Sequence, residues 1–175
     1  RGFRVLVLTN AMKPLHHRSE DLLAIRDCHG DALAIRVSID HFTREKHEDI
    51  RGDQTWEPMI EGLRWLAANG FNLYVAGRTC WEETDNVARA GYRAFFQSED
   101  ISIDADDPAR LVLFPEMDMA VDVPEITVHC WDILGVEPET IMCATSRMIV
   151  HKKGAAGPVV VPCTLLPFDD EFELG

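Results

Sequence analysis

Four short apolar segments recur along this chain, each rich in branched or aromatic residues and each followed by a helical pattern. They begin at Phe3, Leu33, Phe71 and Leu111, so they return every 30 to 40 residues. Alternation of this kind points to a parallel sheet or barrel, because two parallel neighbours need a crossover of a dozen or more residues, usually a helix. Right-handed crossovers bring all the strands' carboxyl ends to one side. Ligands of parallel α/β folds bind at that side, where side chains and loop amides converge. Four such units amount to half of an eight-stranded (β/α) barrel.

Taken in order, Phe3–Thr9 reads as a buried strand ending in the polar pair Thr9-Asn10. His16 and His17 follow in a loop; adjacent histidines do not both face one metal easily, so solvent is expected for them. Ser19 to Cys28 reads as a helix, with Leu22, Leu23 and Ile25 as its stripe, Ser19 as cap and Gly30 as stop. Leu33–Ile39 is the second strand and ends in Ser38 and Asp40. A charged loop is expected after it, closing on Arg51-Gly52. The strongest helix comes next: Trp56, Met59, Ile60, Leu63 and Leu66 share one face, Asp53 or Thr55 caps it, and Asn69-Gly70 ends it. Gly62 within it either permits close packing or is merely tolerated.

The third strand, Phe71–Gly77, delivers Arg78, Thr79 and Cys80 to the same mouth as Ser38. Trp81 to Phe96 reads as a helix whose small face holds Val87, Ala88, Ala90 and Gly91. Residues 98–107 read as a solvated acidic connection. Leu111–Phe114 is the fourth strand, ending near Glu116 and Asp118, and Pro124 opens a helix running to Leu134. The style then changes. Arg147–His151 and Pro158–Cys163 are apolar runs flanking a Gly-rich turn, a β-hairpin signal. Cys143 and Cys163 stand at its two feet, where they could share a metal or a disulfide, or be two unrelated buried thiols.

At the mouth, Ser38, Asp40, Arg51 and Arg78 bring a hydroxyl, a carboxylate and two cations within reach of one ligand. The plainer alternative has Asp40 capping a turn and Arg51 pairing with Glu48 on the surface. Glu116 and Asp118 either face substrate or belong to a solvated turn. Charge narrows the ligand: 30 acidic residues against 17 basic give a net charge of −13, which disfavours a broad nucleic-acid face. No apolar run approaches the roughly 18 residues of a membrane span, and no signal peptide opens the sequence. A cytoplasmic protein is the default expectation. The first residue, Arg1, and the last, Gly175, both read as cut from a longer protein.

Together these pieces resemble the radical S-adenosylmethionine family, in particular members with a SPASM- or twitch-type C-terminal extension for auxiliary iron–sulfur clusters. Leu8-Thr9-Asn10 looks like the family's Thr-Asn-Gly strand end, with Ala11 in place of glycine. Val37-Ser-Ile-Asp40, followed by His47-Glu-Asp-Ile-Arg51-Gly52, is similar to its Ser-Leu-Asp-Gly strand with downstream His-Asp and Arg-Gly; His41 replaces the glycine. Cys143, a glycine at a hairpin tip and Cys163 look like the start of the extension. The family's Cys-x-x-x-Cys-x-x-Cys motif is absent, and the expectation is that it lies upstream of Arg1.

The resemblance implies a partial TIM-type (β/α) barrel over residues 1–138 and the opening β-hairpin of the extension over 139–175. It implies reductive cleavage of S-adenosylmethionine at a [4Fe-4S] cluster, yielding a 5′-deoxyadenosyl radical that abstracts hydrogen from a peptide or small-molecule substrate. A ferredoxin or flavodoxin would supply the electron. Carried over residue by residue, Asn10, Ser38, Asp40, Arg51 and Arg78 would bind S-adenosylmethionine, and Cys143 and Cys163 would ligate an auxiliary cluster. The chain alone would lack the ligands of the catalytic cluster and would be inactive. The competing readings are a non-radical α/β small-molecule binder and a structural zinc protein using Cys143, Cys163 and His129 or Cys130. Neither a Gly-x-Gly-x-x-Gly nor a Gly-x-Ser-x-Gly is present, and no Cys-x-x-Cys favours zinc.

Overall fold

Strands β1 (Val5–Thr9), β2 (Leu33–Ser38), β3 (Asn72–Thr79) and β4 (Leu111–Pro115) pair in parallel in their order along the chain. This is a computed structural model, and it describes residues 2–80, 82–115, 120, 127–162 and 170–173, the side chains of 142, 143 and 170 excepted. The chain divides into two units, Arg1–Asp118 and Met119–Gly175. The sheet belongs to the first. Its registers place Val7 beside Ile35, Ile35 beside Leu73, and Val75 beside Leu111. The fold is α/β with a four-stranded parallel sheet, as the recurring strand–helix rhythm predicts.

Between the strands lie α1 (Lys13–His16), α2 (Ser19–His29), α3 (Arg44–Arg51), α4 (Trp56–Ala68) and α5 (Asp85–Ser98). Alternate residues of β2, namely Leu33, Ile35 and Val37, are buried in the core with Met59, Ile60, Leu63 and Leu66 of α4 and Ala88, Tyr92, Phe95 and Phe96 of α5. The side chains between them in sequence, Ala34, Arg36 and Ser38, occupy the opposite face and stay half-buried. Leu63 and Leu66 are fully buried, so cutting either to alanine should cost about 2–5 kcal/mol.

Gly62 is required rather than tolerated. A Cβ built on it would lie 1.7 Å from the backbone carbonyl oxygen of Ala11, so α4 meets the end of β1 at backbone distance. Ala11 has φ +56°, a left-handed conformation that glycine adopts more readily. Thr9 Oγ1 steadies the turn by accepting the Ala11 N–H at 3.0 Å.

Several local expectations are corrected. The charged stretch after β2 is a helix, α3, and its inward residue is His47 rather than an apolar side chain. Hydrophobic periodicity therefore could not reveal it. Neither Ser19 nor Thr55 caps a helix through its side chain; Thr55 Oγ1 donates to the Gly52 carbonyl at 2.7 Å, and Glu48 Oε1 accepts the Trp56 N–H at 3.2 Å. Helix α5 starts at Asp85, where Thr84 Oγ1 accepts the Val87 N–H. Val87 itself is exposed, whereas Ile101 and Ala105 of the acidic connection are buried.

In the second unit, helix α6 (Cys130–Leu134) ends at left-handed Gly135, and α7 (Met142–Thr145) precedes the antiparallel pair β5 (Met148–Val150) and β6 (Val159–Val161). The expected hairpin is present with shorter strands. The start of the helix expected from Pro124 lies outside the described residues, as do Glu116, Asp118 and Cys163. Among the described residues, no helix is long and apolar enough to cross a membrane.

Candidate active site at the carboxyl ends of the sheet

Asp40 lies two residues past the end of β2 and is 3% exposed. A carboxylate removed from water is costly unless paired, and this one is paired twice. Its Oδ1 accepts from Arg78 Nε at 3.0 Å and its Oδ2 accepts from Arg51 Nε. The Arg78 N–H also donates to the Asp40 carbonyl at 3.0 Å, and the Ile39 N–H to the Ala76 carbonyl at 2.8 Å, so strand pairing continues past the end of β2. The turn-capping alternative for Asp40 is not what forms. Nor does Arg51 pair with Glu48, which instead takes Arg44 at 3.1 Å and the start of α4.

The two guanidiniums keep 37% and 49% of their side-chain surfaces exposed. Among the described residues each engages only its Nε, leaving its terminal N–H groups available. One carboxylate between two guanidiniums leaves a surplus positive charge. That arrangement suits a carboxylate or phosphate ligand, which matches the planar guanidinium fork.

Asp40, Arg51 and Arg78 are therefore brought together as their sequence positions suggest. Ser38 ends β2 beside Ala76. Asn10 follows β1, the strand next to β2, and its Oδ1 accepts the Met12 N–H of its own turn at 3.2 Å. Cys143 lies in α7 with its side chain among those not described, and Cys163 lies outside the described residues, so the two hairpin feet are not placed. His16 ends α1, half-buried and edge-on to Trp65 at 6.2 Å, and His17 after it is exposed.

A second cluster adjoins the first and was not legible in the sequence. His41 is 1% exposed. The Thr43 N–H donates to its Nδ1 at 2.9 Å. A backbone N–H can only donate, so Nδ1 is the acceptor and the ring proton sits on Nε2. Nε2–H donates to Glu83 at 3.1 Å, and Lys46 binds the same carboxylate. Burial pushes the His41 pKa down, which keeps the ring neutral. Burial alone would raise Glu83, but hydrogen bonds from Lys46 and His41 bring its pKa below the ordinary value.

Two further buried groups back the site. His47 is 2% exposed, stands edge-on to Trp56 at 5.5 Å, and its Nδ1 has no hydrogen-bond partner among the described residues. Burial lowers its pKa against the opposing pull of Asp40. The Tyr92 hydroxyl donates to the Ile39 carbonyl at 2.6 Å, fixing the backbone before Asp40. Burial and the Asp40 carboxylate raise its pKa well above normal, so the phenol stays protonated. Only one signal could have found these residues: His41 and Glu83 lie in the loops that follow β2 and β3.

Among the described residues, no three His, Cys, Asp or Glu side chains converge to hold a metal ion. No protein-family model, curated protein or solved structure matches the chain.

Proposed function

We propose that this chain is part of a radical S-adenosylmethionine enzyme, with its four parallel strands as consecutive staves of a (β/α) barrel. The observation that carries the reading is the Asp40 carboxylate, buried at the strand ends and holding Arg51 and Arg78, whose outer N–H groups bond to no described residue and suit an anion. The amino-acid carboxylate of S-adenosylmethionine suits that pair. Two further features support it. Sequential strand order is what neighbouring barrel staves have. The left-handed backbone at Ala11 falls where the family's Thr-Asn-Gly motif has its glycine.

When bound, S-adenosylmethionine supplies radical chemistry after its reductive cleavage. The chain's own part is to bind and orient. Arg78 and Arg51 hold the carboxylate end, Asp40 fixes both guanidiniums, and Ser38 and Asn10 lie on adjacent strand ends. The described residues offer no ligand set for the [4Fe-4S] cluster, so no step is assigned through it. Peptide or small-molecule substrates and a ferredoxin or flavodoxin donor are part of the same proposal.

The test is calorimetric titration of the chain with S-adenosylmethionine, alongside anaerobic reconstitution of the protein at its full natural length. Binding that Arg78→Ala weakens, with iron uptake and 5′-deoxyadenosine release by the full-length protein, supports the reading. An iron-free full-length protein that leaves S-adenosylmethionine intact would overturn it and leave an anion-binding α/β domain.

A further inference from the structure

The half-exposed face of the sheet carries a cation that nothing described neutralises. Arg36 lies at the middle of β2, with Leu8 beside it on β1 and Tyr74 beside it on β3. Its Nε is fully buried and has no hydrogen-bond partner among the described residues. Leaving a buried charged donor unsatisfied costs more than leaving a neutral one. Tyr74 is half-buried in the same row, and its hydroxyl likewise makes no hydrogen bond to a described residue. Arg110 lies over the Tyr74 ring at 4.5 Å, but it donates to Asn72 Oδ1 at 2.6 Å and to the Leu73 carbonyl at 3.1 Å. The unspent donors of the row are thus Arg36 and Tyr74.

No described acid is positioned to serve them. Asp40, the acid at the carboxyl end of this face, is already committed to Arg51 and Arg78. An apolar side chain flanks the row on β1, where Leu8 is 49% exposed, and Phe114, 53% exposed, stands further along the same face beside Arg78. A site of this kind fits a ligand with an apolar body and one oxyanion head. Arg36 lies two residues before Ser38, roughly 7 Å along the strand at about 3.3 Å per residue. A ligand seated there would extend toward the strand ends.

We propose that Arg36 and Tyr74 form an oxyanion subsite on this sheet face, for an organic ligand bearing a carboxylate or a phosphate. The subsite rests on the sheet face alone and stands whether or not S-adenosylmethionine binds at Arg78.

The test is an amide and arginine Nε–H nuclear magnetic resonance titration of the chain with sodium acetate and with inorganic phosphate. Sodium chloride at matched ionic strength is the control. A saturable shift at Tyr74 and at the Arg36 Nε–H, with one or both oxyanions and not with chloride, is expected; which of them saturates distinguishes carboxylate from phosphate. Arg36→Met should weaken the Tyr74 response by about tenfold, the worth of one charge-assisted hydrogen bond. Arg78→Ala should leave it in place, so the subsite and the cofactor reading fail separately. Should Arg36→Met unfold, the wild-type Nε–H signal and the Arg36→Lys variant still decide. Non-saturable shifts, shifts equal to those with chloride, or an undiminished Tyr74 response in Arg36→Met would overturn the proposal.

Discussion

Arg78 is tied to Asp40 twice: its backbone N–H donates to the Asp40 carbonyl at 3.0 Å, and its Nε donates to the Asp40 carboxylate at 3.0 Å. Strand pairing thus fixes the distance over which the ion pair forms. The guanidinium is aimed before any ligand arrives, and preorganisation of this kind lowers the entropy lost on binding.

The first prediction concerns Asp40. Replacing it with alanine leaves two arginines facing one another without their shared carboxylate. Breaking a buried pair costs about 3–5 kcal/mol, and the partial exposure of both arginines should bring the loss to about 2–3 kcal/mol. Urea unfolding of Asp40→Ala checks this. Adding Arg78→Ala to that variant should recover part of the loss; a further loss of similar size would mean that the two side chains act independently.

The second prediction concerns the contact between Gly62 and Ala11. A methyl at Gly62 would lie 1.7 Å from a backbone oxygen, which cannot swing aside as a side-chain tip can. Gly62→Ala should destabilise the first unit by about 3 kcal/mol, at the upper end of the usual overpacking cost. Gly91→Ala is the companion, because its Cβ would come within 2.3 Å of the Phe42 ring that stacks on His41 at 3.9 Å. It should disturb the site as well as the core. A thermal midpoint unchanged in both variants would contradict these packing assignments.

How much of this was visible in the sequence depends on what each residue buries. The four strands and α4 were legible because Ile35, Val37, Leu63 and Leu66 repeat at strand or helix spacing and bury apolar surface. The meeting of Asp40 and Arg78 was legible because parallel strands end on one side, whereas Arg51 reaches Asp40 from the end of α3. Helix α3 was hidden because His47, a polar residue, is what it turns inward. The His41–Glu83–Lys46 cluster was hidden because Glu83 lies some forty residues from the other two and each member, alone, looks like ordinary surface charge. The burial of the Arg36 Nε without a partner among the described residues depends on cross-strand packing, which no periodicity reports.

The last prediction follows from the two buried histidines. Burial lowers the pKa of both His41 and His47 below the ordinary value of about 6.5. In the unfolded chain each binds a proton near that ordinary value, and in the fold each resists protonation until lower pH. Between those two pKa values the unfolded state holds more protons, so stability rises with pH there. The stabilisation is in place above pH 6.5 and falls away as pH drops through the folded values. For His41 the geometry adds a cause, since a proton on Nδ1 would face the Thr43 N–H donor at 2.9 Å. Unfolding free energy measured from pH 7.5 down to pH 5 should therefore decline, and His47→Phe should flatten the decline by removing one of the two groups. His41→Gln should flatten it too, at the cost of the Glu83 hydrogen bond. Equal pH slopes in the wild type and both variants would mean that neither histidine is held neutral by the fold.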